Sequence, residues 1–331
     1  MTVKKGTGKR ICLLLCAAVL MAAALTSCLK ASEKPEGPTE LDIGMRRQFV
    51  WDESIIDAEK TTATRMMHSP VQQETVLTAG MPWEANGIGC FQLLQDADGC
   101  RMYYTAWDAD GTARICLAES ADGIVWEKPT LGLAEYDGAR GNNILLDSGI
   151  TALSVFVDPS PEAKKDERYK AVGVRDGQTL VGLVSPDGLA WTEKRPLRRK
   201  VTTCTDGPVS LHSAFYDAEQ QRYFCYFMRE TDAGQQIAVI SSENFRRWSS
   251  PEDLSFEDGA AELSVQTANI FPYYREPGTL VGLPLRMTAW SAEELEANFP
   301  GNAASAEKLP EGKNTVLTDT VFLTSKNGVF V

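Results

Sequence analysis

The sequence predicts an all-β protein of the propeller type, and three observations predict it. One turn recurs: Ser120-Ala-Asp122-Gly123-Ile-Val-Trp126 returns as Ser185-Pro-Asp187-Gly188-Leu-Ala-Trp191 and, loosened, as Ser242-Glu-Asn244-Phe245-Arg-Arg-Trp248. A last copy, Ser325-Lys-Asn327-Gly328-Val-Phe-Val331, has Val331 in the Trp place. The first three copies follow alternating apolar runs (Ala113 to Leu117, Leu180 to Val184, Ile237 to Ile240), and a period of two marks a half-buried strand. Finally, strand-length runs gather four to a unit at a period of roughly 50 to 80 residues, longer and richer in strands than a solenoid repeat.

The turn carries its own chemistry. Gly accepts positive φ without a Cβ clash, Asp hydrogen-bonds the backbone of its own turn, and Trp can bury its ring between neighbouring sheets. Each copy therefore reads as strand, tight turn, strand.

At the start of the chain, Lys4, Lys5, Lys9 and Arg10 precede an apolar run from Ile11 to Leu25, and Leu25-Thr26-Ser27-Cys28 follows. This is the pattern of a secretory leader over residues 1–27, and the run is shorter than the roughly 20 residues of a spanning helix. Small residues before Cys28 resemble the bacterial lipobox, which implies a lipid on Cys28, export and anchoring to a bacterial membrane. The alternative is an ordinary cleaved leader with an incidental Cys. Residues 28–44, rich in Lys, Glu, Pro, Gly and Ser, read as a flexible tether, and 45–331 as the propeller domain.

Removing the leader takes four of the 33 basic residues and none of the 45 acidic ones, which leaves a formal charge of −16. Nucleic acid and anionic lipid both need clustered Lys and Arg, so neither is expected as a partner, while neutral sugars or cationic partners remain open. Beyond Cys28 the cysteines are Cys90, Cys100, Cys116, Cys204 and Cys225, an odd number without metal spacing, and buried free thiols are expected. Two histidines, His68 and His212, exclude a His-rich metal site but not an oxygen-ligand calcium site. No cofactor and no metal are expected.

Four units follow. The first runs from Gly87 to Trp126 and contains the turns at Asp96-Ala-Asp98-Gly99 and Asp108-Ala-Asp110-Gly111. The second runs from Ala152 to Trp191, the third from Ser213 to Trp248, and the fourth from Ile270 to Val331, with short helices expected over 291–298 and 303–308. Sialidase blades carry Ser-x-Asp-x-Gly-x-x-Trp. Here Gly follows Asp directly and Trp is six residues after Ser, which argues against a sialidase.

Several segments in order resemble the invertase, levansucrase and arabinanase clan of five-bladed propellers, and within it a group of bacterial glycosidase-like proteins. They are Phe49-Val-Trp-Asp52-Glu53, His68-Ser-Pro70, Pro82-Trp83-Glu84, Met102-Tyr-Tyr, the stretch from Asp122 to Gly132, Asn142-Asn143-Ile144, Asp166-Glu-Arg-Tyr-Lys-Ala-Val172, Phe271-Pro-Tyr273 and Gly282-Leu-Pro-Leu-Arg286. The resemblance implies a five-bladed β-propeller of the glycosyl hydrolase family 32/43 type. About four blades are recognisable, with the fifth missing or supplied only in part by 49–77.

Glycosidic cleavage generally uses two carboxylates across a sugar, one acid and one base or nucleophile. Candidates must face the funnel, where the first strand of each unit begins. That selects Trp83, Glu84 and Asn86 in the first unit, Asn142, Asn143 and Thr151 in the second, Asp206 and His212 in the third, and Gln266, Thr267 and Asn269 in the fourth. Glu84 is the expected acid, because Trp83 beside it can carry a sugar ring and desolvate the carboxyl, which raises its pKa. Asp206 and Asp52 are the expected partners. Trp83, Asn86, Asn143, His212, Thr267 and Asn269 are the expected sugar contacts. The plain alternatives are solvated loop carboxylates and a structural His212. Asp158-Pro159 aligns with Asp96 and Asp217 at strand exits and reads as a turn residue.

The resemblance also implies a polar Asn at the inner start of successive blades, where this chain has Ala152, His212 and Ala268, and a carboxylate where it has Val209. Three functions follow: a surface glycoside hydrolase, a glycan-binding lipoprotein without catalysis, and a truncated, non-functional paralogue.

Overall fold

The computed structural model describes residues 44–331 apart from 52–54, 58, 67, 69, 97–98, 178, 200–211, 232–233, 258–264, 299–314 and 327. Asp52, Cys28, Cys204, Asp206 and Val209 lie outside the described residues, as do the leader and most of the tether.

Blade I comprises β1 (Ile88–Asp96), β2 (Gly99–Trp107), β3 (Ala113–Ser120) and β4 (Ile144–Leu146), paired in that order. Blade II comprises β5 (Ile150–Val157), β6 (Tyr169–Arg175), β7 (Thr179–Ser185) and β8 (Thr192–Arg199). Blade III comprises β9 (Ser213–Asp217), β10 (Arg222–Thr231), β11 (Gly234–Ser242) and β12 (Glu252–Asp253). The chain then makes β13 (Ser255–Phe256), β14 (Ile270–Tyr273) and β15 (Glu276–Gly282), a separate hairpin of β16 (Leu285–Trp290) and β17 (Thr315–Thr320), and finally β18 (Leu323–Ser325) and β19 (Val329–Phe330). Blade IV is the sheet β14-β15-β18, and β13 pairs in parallel with β19. The protein is thus nearly all-β, with four blades in a propeller arrangement among the described residues. The helix expected over 291–298 is present as α1 (Ala292–Asn298), and that over 303–308 lies outside the described residues.

The recurring turn forms as its residues dictate. Gly123 N–H donates to Ser120 Oγ at 2.9 Å, and Asp122 Oδ1 accepts the amides of Ile124 and Val125 at 2.8 and 2.9 Å. Ser185 and Asp187 repeat these bonds, and Ser325 Oγ accepts from Gly328 at 2.9 Å. The left-handed residue is Gly123 (φ 78°), Gly188 (φ 80°), Gly328 (φ 89°) and, in the loosened copy, Phe245 (φ 58°). Trp126 and Trp191 each donate Nε1–H back to the carbonyl of the turn glycine. One expectation is corrected here: in blade I the turn is followed by a single bridge, Glu119 to Glu127, and the fourth strand comes only at Ile144–Leu146.

Successive blades bury apolar faces against one another. Tyr103, Ile115 and Leu117 of blade I meet Leu153, Val155 and Leu183 of blade II. Val172, Leu180 and Val184 of blade II meet Tyr223, Cys225 and Phe245 of blade III, and Phe215, Tyr226 and Met228 of blade III meet Ile270 and Leu323 of blade IV. A belt of hydroxyls on β2, β5 and β9 stitches neighbouring blades. Ala152 N–H donates to Thr105 Oγ1 (3.2 Å), Ala214 N–H to Ser154 Oγ (3.1 Å) and Ile270 N–H to Ser213 Oγ (3.1 Å), while Ser213 Oγ–H donates to the Ala268 carbonyl (2.7 Å).

Residues 44–86 run from blade IV to blade I. Arg46 pairs with Glu219, Phe49 stacks on Trp51 at 4.2 Å, both rings meet Tyr273 edge-on, and Trp51 meets Phe322. At the other end Leu77 and Trp83 cover the outward face of blade I, packing on Met102, Tyr104, Ala106, Cys116 and Ile144. The described residues before Ile88 contain no strand.

Candidate functional site

Glu84 sits in the 3-10 turn Pro82–Glu84, beneath the outward face of blade I. Its side chain has no exposed surface and accepts from Tyr104 Oη–H (2.7 Å), Lys128 Nζ (2.6 Å) and the amides of Gly80 (2.8 Å) and Met81 (3.1 Å). Burial pushes the carboxyl up, but the bonds from Lys128, Tyr104, Gly80 and Met81 outweigh it and hold Glu84 below the usual glutamate range. The expected upward shift is therefore corrected: the network stabilises the anion, whereas a proton donor at neutral pH needs the acid.

Trp83, 8% exposed, does not offer its face to a ligand. It donates Nε1–H to Asn143 Oδ1 at 2.9 Å and meets Tyr136 edge-on, and Asn143 Nδ2–H donates in turn to Tyr104 Oη at 2.7 Å. Trp83, Asn143, Tyr104, Glu84 and Lys128 thus form one closed network that fixes the cover of blade I. Tyr104, Lys128 and Asn143 come from distant parts of the chain, and sequence spacing alone gave no sign of their meeting. Asn86 is exposed, and its backbone N–H donates to the Trp107 carbonyl. Thr267 is buried, and its Oγ1 accepts the Leu285 amide at 2.8 Å.

A cavity walled by residues of all four blades lies elsewhere, at the inner strands. A space of about 370 Å³ is walled by Cys90, Phe91 and Gln92 of β1, Ala152 and Leu153 of β5, His212 just before β9, Asn269 just before β14, and Phe271 to Tyr273 of β14. Tyr274, Val281 and Leu283 complete the wall. All four blades contribute, as the mouth of a propeller funnel requires, and two of the expected contacts, His212 and Asn269, are among them. The walls grade from deep to shallow: Cys90, Ala152, Leu153 and His212 are at most 7% exposed, whereas Phe91 (49%), Leu283 (51%) and Tyr274 (74%) form the rim. His212 Nε2–H donates to the Val172 carbonyl at 2.7 Å, which fixes the ring. Burial pushes the Cys90 thiol up to about 11, so it stays neutral.

Among the described lining residues there is no Asp, Glu, Lys or Arg. No acid and base face each other here, and no group of three metal-ligating side chains exists among the described residues. Of the first-unit positions expected from the sequence, 83–86, none lines this cavity, whose blade I wall is Cys90 to Gln92. The aligned inner starts Ala152 and His212 marked the cavity, and the same alignment extended to blade I would have found Cys90 to Gln92.

Asp158 serves as the turn residue expected and does more. Its Oδ1 accepts the Ser160 amide (3.0 Å), and its Oδ2 pairs with Lys170 and accepts Tyr223 Oη–H (2.8 Å) from the next blade. The Lys170 ammonium also lies 5.6 Å from the ring centres of Tyr223 and Phe245. Cys90, Cys100, Cys116 and Cys225 are not joined in disulfides.

Fold and cavity define the class: a β-propeller with an axial cavity whose described lining residues are uncharged, among them aromatic and amide side chains. An alpha-L-arabinanase of Penicillium chrysogenum, complexed with arabinobiose, is similar with a TM-score of 0.49 at 10% identity, over 76% of this chain and 67% of that one. A GH93 alpha-L-arabinofuranosidase of Fusarium graminearum with arabinobiose gives 0.48 at 10% identity, over 76% and 66%. A glycosyl hydrolase from Bacteroides ovatus gives 0.42 at 13% identity, over 62% and 63%. The chain thus spans about two thirds of the length of these proteins. At such identities the likeness concerns the chain trace, and the propeller arrangement rests on the sheets themselves. No protein-family model and no curated protein sequence matches the chain.

Proposed function

We propose that this chain is a glycan-binding propeller of the glycoside-hydrolase-like kind, which holds a neutral sugar in its axial cavity and does not cleave it. The observation that carries this reading is the lining: aromatic rings of Phe91, Phe271 and Tyr273 beside the amides of Gln92 and Asn269, with no carboxylate among the described lining residues. Aromatic faces pack against the C–H face of a sugar ring, amides meet its hydroxyls, and hydrolysis would need a pair of carboxylates. The hydrolytic reading needs Asp206 or Asp52, both outside the described residues, together with an acid in a better position than Glu84.

The reading extends to the chain ends: the leader over 1–27 directs export, and lipid on Cys28 holds the propeller at the membrane through the 28–44 tether. Calorimetric titration of the full chain with neutral oligosaccharides, alongside assay of released reducing sugar, tests it. Binding without release is expected, weakened roughly tenfold, ~1.4 kcal/mol, by Asn269→Ala. Cys28→Ala should leave binding unchanged and move the protein out of the membrane fraction. Release of sugar by the wild type would establish the hydrolase instead, and absence of binding to every sugar would end the glycan reading.

A further inference from the structure

The cavity is a wedge between two blade faces that do not pack on one another. In blade I, Phe91 lies 6.3 Å from Tyr104 and Leu93 stands opposite Met102, so both occupy the face turned away from blade II. In blade IV, Phe271 and Val281 pair across β14 and β15, on the face opposite Ile270 and Leu323, which pack on blade III. Apolar clusters among the described residues join blade I to II, II to III and III to IV, and none joins IV to I. The lining residues from blades II and III, Ala152, Leu153 and His212, are buried at the axis, whereas the exposed rim, Phe91, Tyr274 and Leu283, belongs to blades I and IV alone. One stretch of chain covers the outer strands on both sides of the wedge. Leu77 and Trp83 lie on Met102, Cys116 and Ile144 of blade I, held there by the buried bonds of Glu84, Lys128 and Asn143. The hold on blade IV is lighter. Arg46, 57% exposed, pairs with Glu219 and Glu276, and such exposed pairs contribute little. The rest of the grip is the ring cluster of Phe49 and Trp51 on Tyr273 and Phe322, in which both strap rings are only half-buried. Tyr273 belongs both to this cluster and to the cavity wall.

We infer that ligand enters the cavity from the side, through the wedge between blades I and IV, and that the strap at Phe49 and Trp51 is the movable edge of this entrance. Phe49 and Trp51 are positioning residues that act through Tyr273. Local release of the lighter end of the strap opens the wedge while the blades stay folded. The inference rests on the glycan reading above only for what enters.

The test places a thiol on the wedge face of blade IV by Val281→Cys in the full chain and follows its reaction with a maleimide. Cys225, buried between blades II and III, reports unfolding. Adding Trp51→Ala should speed labelling at position 281 roughly tenfold or more and leave Cys225 unlabelled, and Trp51→Phe, which keeps a ring, should hold the slower rate. An equal rate at position 281 with and without the Trp51 ring would overturn the inference, because a route down the axis does not pass the strap. Acceleration of position 281 and Cys225 in step would also overturn it and make the strap a brace for the whole fold. Phe49→Leu, a milder loosening of the same cluster, carries the comparison if Trp51→Ala does not fold. The two readings fail separately. A thiol that responds to Trp51 on a chain that binds no neutral oligosaccharide would end the glycan reading alone, and sugar binding by a chain whose thiol ignores Trp51 would end the side entrance alone.

Discussion

At Glu84, four donors converge on a carboxylate with no exposed side-chain surface, and the carboxyl is held below its ordinary value of 4.5. A carboxyl whose folded pKa is depressed contributes stability that is fully present above the unfolded value and is lost as pH falls through the folded one. Glu84→Gln removes that contribution and leaves Lys128 without its anion, at a cost of about 3–5 kcal/mol near neutral pH. Thermal melts of both proteins should therefore differ most at pH 7, and the difference should shrink as pH drops below about 4.5. A wild type that instead gains on Glu84→Gln as pH falls through about 6 would indicate a raised carboxyl, of the kind a catalytic acid has. The residues of this network were legible in the sequence one at a time. Their convergence was not, because Glu84, Tyr104, Lys128 and Asn143 are brought together by the wrapping of 77–86 over blade I.

The turn is the element on which the blades are built, and its glycine is tested differently in different copies. A Cβ on Gly123 would meet only Cys100 Sγ, at 4.0 Å, so Gly123→Ala should cost only the left-handed backbone, about 1–2 kcal/mol. A Cβ on Gly188 would meet Tyr103 Oη at 2.7 Å and an Arg101 guanidinium nitrogen at 2.9 Å, because blade I docks onto this turn through Tyr103 Oη–H to the Gly188 carbonyl and Arg101 to the Asp187 carbonyl. Gly188→Ala should lose a further 1–3 kcal/mol or so through overpacking. Denaturant midpoints of the two variants decide this, and equal losses would mean that the turn does not bear on the neighbouring blade. Ser, Asp and Gly gave the turn away in the sequence because its hydrogen bonds all close within six residues. The outer strand of blade I escaped notice because residues 128–143, between the bridge at Glu119–Glu127 and β4, follow no repeat.

Across the whole molecule, blades are held by shared apolar faces, the hydroxyl belt and one buried charge pair. Lys170 and Asp158 lie almost wholly inside, with side chains 4% and 0% exposed, and Tyr223 ties the pair to blade III. Breaking a buried pair on one side leaves an uncompensated charge, so Lys170→Met should cost about 3–5 kcal/mol. Adding Asp158→Asn removes the stranded charge while keeping an acceptor for Ser160 and Tyr223, and should recover more than half of the loss in chemical denaturation. No recovery would mean that Lys170 acts through packing over Tyr223 and Phe245 and not through its charge.

By itself the sequence determined the fold class, the number of strand-rich units and the repeated turn, since alternation and turn chemistry are properties of a few consecutive residues. It also marked His212 and Asn269 as entries to first strands near a funnel, because equivalent residues of a repeat occupy equivalent places around an axis, while Ala152 was singled out only through the family resemblance, together with Ala268, which does not line the cavity. Only the tertiary structure decided that Glu84 and Trp83 are enclosed beneath blade I and that the cavity between the inner strands carries no charge among its described residues. Those facts depend on the rotation from one blade to the next, which no local stretch encodes. That rotation decides which side chains meet across the axis, and hence which carboxylates keep water and which are locked away from it.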